Sequence, residues 1–538
     1  MTARSRLAGL RPRAAGPEAV APETGAPEAG APDAGAPPAP DGLTRALAWF
    51  AGLTIGAAIL DMIFVSLAGP SAGVARMPRP GAGPPWWFSL HLAPGHVLVL
   101  LWAAAAAGAA GVGAGLAAVA RGARPPVRLL LIGSLLAVAT LTVLPPAGST
   151  DAISYAINGE MVVKGHSPYV MTPAQFRRTG DPVAQLAPPT WVNQLSIYGP
   201  LATGEEWAAA ELGHASAARI TFWLKLWNSL AFVAVVLALD RTLRNNPARR
   251  ARAHLLWSLN PLLLWGMVAG GHIDGVATAL GFGGLLLLRT RAPAGTEPGT
   301  GRGTIAAWPA FAAGLLIGAA TACKITFGLF AVGAVWATRK SPAALAGTVA
   351  GMLAVLIPGY ALAGKPAVKA LAGRAQGATI DNFYQLLDPS LRRTVTATST
   401  PTGLVVISVV LTIGFAVLLW WRLPAPAGFE DLPAIRPALA LSLAWLFVYP
   451  FQRPWYDVMA ICLMALYPLS RLDWVVLVRL VFPTSVFILA TDEQLWPPWL
   501  NTAFGYDWHY VSPAVRLAAV IALVWLCLPG QFRARADQ

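Results

Sequence analysis

The sequence predicts an all-α, polytopic membrane protein, and three observations lead to this fold class. Hydrophobic residues make up 56% of the 538 residues and charged residues only 12%, about half the charged share of a soluble domain. Apolar runs such as residues 97–120 and 129–144 are long enough to cross about 30 Å of hydrocarbon as helices. Lys and Arg concentrate in alternate short loops, which is typical of loops that face the cytoplasm.

Apolar segments divide residues 43–529 into about fourteen predicted transmembrane helices. They span residues 43–68, 93–120, 129–147, 219–240, 254–270, 273–289, 304–322, 325–338, 343–363, 402–421, 436–450, 456–470, 474–490 and 513–529. An even number places both termini in the cytoplasm of a multi-pass plasma-membrane protein. The long outer segments, 69–92, 148–218 and 364–401, carry the elaborated polar sequence, so function is predicted at the outer face.

The two ends of the chain are predicted to be cytoplasmic tails. Residues 1–42 are rich in Ala, Pro and Gly, a composition that cannot bury a core and indicates disorder. Residues 530–538 form the second tail. The net charge of +14 resides largely in the short cytoplasmic loops, so it indicates topology and not a nucleic-acid partner. The three cysteines show neither metal-ligand spacing nor a disulfide framework.

The outer segment 148–218 opens with a carboxylate, Asp151, directly after an apolar span. Helical apolar spacing after it predicts a short amphipathic helix at the membrane surface, ending near Gly165. Asp151, Tyr155 and Asn158 then share one face by i, i+4, i+7 spacing. An acid in a first helical turn is also favoured by the helix dipole alone. The polar pattern around Asp151 exceeds what a cap requires, so we favour a catalytic role.

Three later outer turns carry further titratable groups. His272 and Asp274 follow a Gly-Gly turn, Lys324 lies between two spans, and Arg453 and Tyr456 lie in a third turn. A turn needs only its glycines, and a boundary lysine usually extends to the interface. Cations gathered on one face nevertheless suit a phosphate. Two other cations, Lys225 and Arg479, lie within spans, near enough to an end for their side chains to extend to the interface.

These segments resemble the actinobacterial polyprenol-phosphate-mannose-dependent α-1,6-mannosyltransferases, integral-membrane enzymes of the GT-C glycosyltransferase superfamily. The resemblance covers most of residues 43–529. It is carried by Asp151-x-x-Ser-Tyr155 with Gly159, Gly165-x-x-Pro-Tyr169, Tyr198-Gly-Pro200, Asn260-Pro261 with Gly270-Gly271-His272, Lys324, and Pro454-Trp455-Tyr456. The chain departs from the family pattern at Thr150, where an Arg is usual, and at Ile273-Asp274, where an Asn is common.

The resemblance implies a GT-C type helix bundle and an inverting mannosyltransferase. Mannose would pass from a polyprenyl-phosphate donor to an acceptor hydroxyl of a glycan, lipoglycan or secreted natural product at the outer face. Asp151 would be the base, and Lys324, Arg453 and His272 would bind the donor phosphate. The substrate-binding residues would be Tyr155, Asn158, Tyr169, Tyr198, Asp274 and Tyr456. No cofactor and no metal ligand set is implied, although a divalent ion beside Asp151 stays open.

The main alternative is a polytopic lipid or solute transporter, including a flippase. Transporters place polar residues near the bilayer midplane, often within inverted repeats. Here the charged candidates lie at outer span ends, and the sequence shows no internal symmetry. A purely structural scaffold would not need His, Lys, Arg and Asp on one face. An enzyme should turn over in detergent, whereas transport needs a sealed membrane.

Overall fold

The computed structural model describes residues 41–290, 303–374, 377–379, 381–391, 400–489, 498–529 and 531. Across these residues the protein consists of helices joined by loops, with no named β-strand in the described part. The all-α, polytopic class is therefore confirmed. The first 40 residues of the predicted N-terminal tail, and all but residue 531 of the C-terminal one, lie outside the described residues, and both tail assignments stay predictions.

Twenty α-helices are numbered here in chain order. Their bounds are α1 Gly42–Ala68, α2 Pro94–Ala120, α3 Val127–Thr142, α4 Asp151–Val163, α5 Pro173–Arg177, α6 Pro200–Gly213, α7 Ala217–Thr242, α8 Pro247–Ala253, α9 Pro261–Leu263, α10 Asp274–Leu287, α11 Ala307–Cys323, α12 Leu329–Thr338, α13 Pro342–Arg374, α14 Tyr384–Leu387, α15 Thr402–Arg422, α16 Ile435–Val448, α17 Val458–Met464, α18 Arg471–Val486, α19 Pro498–Tyr506 and α20 Ser512–Leu526.

Six helical stretches of the described chain are long and apolar enough to cross a membrane: α1, α2, α7, α13, α15 and the continuous α19–α20 stretch. A seventh is added if the bent pair that ends in α10 counts as one span. The other predicted spans also contain helix, but as shorter apolar pieces such as α3, α11 and α16. Each of the predicted transmembrane segments therefore contains helix in the structure. The number of these helices that cross the membrane stays a prediction.

A sharp bend separates the stretch Pro247–Ala269 from α10, whose axes differ by 116°. The stretch is irregular because π-helical turns follow both α8 and α9, and Pro261 cannot donate a backbone hydrogen bond. Asn260 caps the restart by accepting from Leu262 N at 3.1 Å. Gly271 has φ +65 at the vertex, where a Cβ would lie 2.7 Å from a side-chain carbon of Lys225. The bend places His272 directly after the vertex glycine.

Two cations within predicted spans, to which the sequence assigned no role, are buried and partnered in the structure. Lys225 is 1% exposed, and its Nζ donates to three carbonyl oxygens of residues 141–145 at 2.6–3.3 Å. Arg479 is also 1% exposed, and it pairs with Asp457 and donates to Gln452 Oε1 at 2.6 Å. A buried charge is retained only where such partners replace water. Distance along the chain to a span end could not reveal those partners.

Candidate active site

The backbone before Asp151 is held from several directions. Gly148 N donates to Gly73 O at 2.9 Å, and Ala147 N donates to Ala269 O at 3.0 Å. Lys225 binds the carbonyls that close α3 immediately upstream. These bonds fix the point at which α4 begins, and Asp151 is its first residue. The predicted helix is therefore confirmed, and ten of its 13 residues are buried, which is deeper than a surface helix requires.

The Asp151 carboxylate faces two nitrogen-bearing rings. Trp191 Nε1 donates to Oδ1 at 3.1 Å, and His272 Nε2 lies 3.5 Å from Oδ2. Burial alone would raise the pKa of Asp151, but the adjacent His272 imidazole and the positive charges of Arg453 and Lys324 together hold it below its usual value. Asp151 is therefore an ionised carboxylate at neutral pH, with lone pairs left to accept another proton.

His272 is fixed in orientation by its surroundings. Its Nδ1 donates a hydrogen bond to the carbonyl oxygen of Gly266. The imidazole stacks on the Trp455 ring with centroids 3.8 Å apart and planes inclined by 21°. The remaining nitrogen, Nε2, thus points toward Asp151 and not toward an open surface. The vertex of the bent helix pair and the turn after residue 452 therefore meet at this ring.

The two other predicted phosphate ligands have different electrostatic surroundings. Lys324 Nζ binds both carboxylate oxygens of Asp274 at 2.8 and 2.9 Å and lies 3.7 Å from the Tyr456 ring centroid. Its charge is thus already paired. Arg453 has no carboxylate within 4 Å among the described residues, and it lies 4.0 Å from the Phe487 ring centroid. Arg453 is the more available cation of the two.

A cavity lies beside these groups. Five predicted site residues line it: Asp151, Asn158, Tyr198, Arg453 and Tyr456. The other five predicted residues, Tyr155, Tyr169, His272, Asp274 and Lys324, are not among its lining residues. The structure thus gathers the predicted set in one region but divides it into a lining layer and a supporting layer.

The tyrosines hold one wall of the cavity. The hydroxyls of Tyr155 and Tyr198 lie 3.2 Å apart, and Tyr169 donates to the backbone oxygen of Tyr198 at 3.0 Å. Tyr169 also bonds the hydroxyl of Thr203 at 2.7 Å. Tyr155 and Tyr169 therefore support Tyr198, and a direct contact of either with substrate stays a prediction.

Two important partners were not predicted from the sequence. Trp191 lies in an irregular segment, where no periodicity could place it against Asp151. Glu206 is 0% exposed in α6, and its Oε1 accepts from Asn158 Nδ2 at 3.3 Å. Burial raises the pKa of Glu206 well above its usual value, which favours the neutral carboxyl. Because this bond occupies the amide nitrogen, the amide oxygen of Asn158 is left for the cavity.

A signal for Glu206 was present in the sequence. It shares a helix face with Ala202 and Ala209, at i−4 and i+3, which are both fully buried. A carboxyl on an apolar helix face is rare unless it is partnered or neutral.

The described residues contain no group of three or more His, Cys, Asp or Glu side chains that could share a metal ion, and the expected independence from metals stays a prediction.

The chain is a polytopic membrane protein, and one cavity of its described residues is lined by the Asp151 carboxylate and the Arg453 guanidinium. Residues 54–340 match the family model described as alpha-(1→6)-mannopyranosyltransferase, N-terminal domain. The match spans just over half of the chain. The chain therefore belongs to this family. It includes Asp151, Glu206 and His272 and ends before Arg453. No curated protein matches the chain.

Proposed function

We propose that the protein transfers mannose from polyprenyl-phosphate-mannose to an acceptor hydroxyl, with inversion and with Asp151 as the base. The observation that carries this proposal is that Asp151 and Arg453 line one cavity. When a sugar is transferred from a phosphate, the attacking acceptor hydroxyl must lose its proton, and the leaving phosphate gains negative charge. A carboxylate and a guanidinium in one cavity match those two requirements.

The chemical step follows from this arrangement. The acceptor oxygen attacks C1 of mannose opposite the phosphate, so the new O–C1 bond forms as the C1–O bond to phosphate breaks. The acceptor proton passes to Asp151, and the bonding electron pair leaves with polyprenyl phosphate. Arg453 faces the added negative charge on that phosphate. Asp151 then returns its proton to water, which completes the cycle.

The supporting groups tune this chemistry instead of reacting. His272 keeps Asp151 ionised and oriented through the contact between Nε2 and Oδ2, at 3.5 Å. Lys324 adds positive charge near the carboxylate, although Asp274 compensates it locally. His272 and Lys324 are thus proposed to assist phosphate binding through the electrostatic field, with Arg453 as the direct ligand. Asn158, Tyr198 and Tyr456 line the same cavity as candidate sugar contacts.

The membrane setting of the proposal follows from the helices and the donor. A polyprenyl tail has no route through water, so a groove between spans would keep the donor in the bilayer. We propose that the cavity opens at the outer face of the plasma membrane, with both termini cytoplasmic and membrane lipids as surroundings. The acceptor is a glycan, a lipoglycan or a secreted natural product, and no nucleic acid takes part.

The test uses the purified full chain in detergent with labelled polyprenyl-phosphate-mannose. Wild type should transfer mannose without a sealed membrane, which separates a transferase from a transporter. Arg453→Ala should raise the donor KM by about 10- to 100-fold, the loss of one charged hydrogen bond, and leave the acceptor KM unchanged. Arg178→Ala, which removes an exposed cation directly after α5, is the control. Use of a soluble nucleotide sugar in place of the lipid donor would overturn the proposal.

A further inference from the structure

The segment that carries Arg453 is held at both of its ends. Residues 452–457, here called the anchored turn, bring Arg453 into the wall of the cavity that Asp151 also lines. At one end, the side chain of Gln452 is fully buried, and its Nε2 donates to two carbonyl oxygens at the end of α16 at 3.0 and 2.6 Å. At the other end, Asp457 pairs with Arg479. Because Arg479 also donates to Gln452 Oε1 at 2.6 Å, one guanidinium joins the two ends of the turn.

A second guanidinium reaches the same amide oxygen from another helix. Arg516 of α20 donates to Gln452 Oε1 at 2.6 Å. It also pairs with the Asp381 carboxylate at 2.8 Å and donates to the backbone oxygen of Asp381 at 3.1 Å. Thr379 donates to the backbone oxygen of Pro450 through both its amide and its hydroxyl, at 3.0 Å each. Two residues of the long segment between α13 and α15 are thereby tied to the chain that enters the anchored turn.

The charges of this cluster compensate one another. Arg479 and Asp457 form one pair, and Arg516 and Asp381 form the other. All four side chains are at most 3% exposed, and none of them lines the cavity. A guanidinium that is buried and paired in this way is not available as a phosphate ligand. Its planar fork of donors can instead hold two acceptors in fixed directions.

We infer that Arg516 is a positioning residue for donor binding, because it holds the anchored turn through Gln452 and thereby places the guanidinium of Arg453. The inference rests on the proposed function, in which Arg453 binds the donor phosphate, and adds the residue that sets its position. The fork of arginine binds Gln452 and Asp381 at once, whereas lysine keeps the charge but is a point donor. Arg516→Lys should therefore loosen the turn without leaving a buried carboxylate uncompensated.

The experiment compares Arg516→Lys with Arg252→Lys in the purified full chain in detergent. Arg252 is a matched control because it is also buried, pairs with the buried Asp473 and donates to backbone oxygens of residues 464, 465 and 467, outside the anchored turn. Arg516→Lys should raise the donor KM about tenfold, the loss of one charged hydrogen bond, with an unchanged acceptor KM. Arg252→Lys should lower thermal stability to a similar extent and leave the donor KM unchanged. Amide hydrogen exchange of peptides that cover residues 450–457 should become about tenfold faster in Arg516→Lys only.

A double variant tests whether Arg516 acts through Arg453. Once Arg453 is replaced by alanine, movement of the turn no longer moves a guanidinium. Arg453→Ala/Arg516→Lys should therefore have the donor KM of Arg453→Ala alone. A gentler variant, Thr379→Val, removes the hydroxyl bond to Pro450 and leaves both ion pairs in place. It should raise the donor KM about threefold, and it tests the same coupling even if Arg516→Lys does not fold.

Four results would overturn the inference. A wild-type donor KM in Arg516→Lys would remove the positioning role, and an equal rise in Arg252→Lys would reduce it to a general loss of stability. Effects that multiply in the double variant would mean that Arg516 acts on the donor without Arg453. Unchanged hydrogen exchange would show that Arg516 does not hold the turn. Failure of the proposed function gives a different result, since wild type then transfers from no lipid donor while the exchange comparison still decides whether Arg516 holds the turn.

Discussion

Replacing Gly159 with alanine tests how closely the helix of Asp151 must approach α6. A Cβ at this position would lie 2.0 Å from the backbone oxygen of Glu206 and 3.1 Å from Ala210 Cβ. The first obstacle is backbone and cannot rotate away. Ordinary contact begins near 3.4 Å, so α4 and α6 would have to separate by about 1.4 Å.

The separation should affect both stability and rate. Overpacking of this kind typically costs about 1–3 kcal/mol of folding free energy, and a displacement of about 1 Å at reacting groups costs about 100-fold in rate. Gly159→Ala should therefore lower kcat for mannose transfer by about 100-fold while the purified protein still elutes as a folded species. Mannose transfer and thermal unfolding in detergent measure the two effects separately.

The matched control is Gly204→Ala in α6, where a Cβ would meet nothing within 4 Å. This change should leave transfer unchanged and stabilise the helix by about 0.5–1 kcal/mol. If Gly159→Ala retains wild-type kcat, the close packing of α4 on α6 does not position Asp151, and the reasoning fails.

Three further predictions concern the groups around the cavity. Lys324→Met should destabilise the fold by about 3–5 kcal/mol because it leaves the buried Asp274 carboxylate unpaired. Lys324→Met/Asp274→Leu should recover most of that loss in thermal unfolding. Equal losses in the single and the double variant would contradict the pairing. Glu206→Gln should retain wild-type kinetics, whereas Glu206→Leu should raise the acceptor KM about tenfold. Only Leu removes the oxygen that accepts the hydrogen bond of the Asn158 amide. Identical kinetics for the two variants would exclude this role of Glu206. Because the pKa of Asp151 is held below its ordinary value, activity should be lost only under acidic conditions, as Asp151 becomes protonated. His272→Gln should raise this pKa and move the acid limb to higher pH, because burial then acts with less opposition. An unmoved acid limb in the pH profile of kcat/KM would refute the coupling.

The helices and the position of Asp151 could be predicted because local signals determine them. Apolar periodicity marks α4, Pro200 marks the start of α6, and paired glycines mark the bend before His272. Each of these features depends on residues within a few positions of one another. The match between pattern and structure is therefore closest where backbone geometry decides the outcome.

Partnerships across the chain could not be predicted in the same way. Lys324 was expected to be available to phosphate, yet it is paired with Asp274 from another helix. Arg479 had no role assigned from the sequence, and it pairs with Asp457 in the interior. Trp191 reaches Asp151 from a segment without periodicity. Such pairs depend on tertiary packing that brings distant residues together, and no spacing rule in one sequence encodes it.

The most direct test of the central claim is the rate of mannose transfer by Asp151→Asn. Asn has nearly the same shape, and its oxygen can still accept from Trp191 Nε1, which lies 3.1 Å from Asp151 Oδ1, so the fold and the donor KM should be preserved. A general base contributes about 10²–10⁴-fold, and kcat measured with labelled polyprenyl-phosphate-mannose should fall by that factor. A folded variant that keeps about a third or more of the wild-type kcat would show that Asp151 only begins a helix.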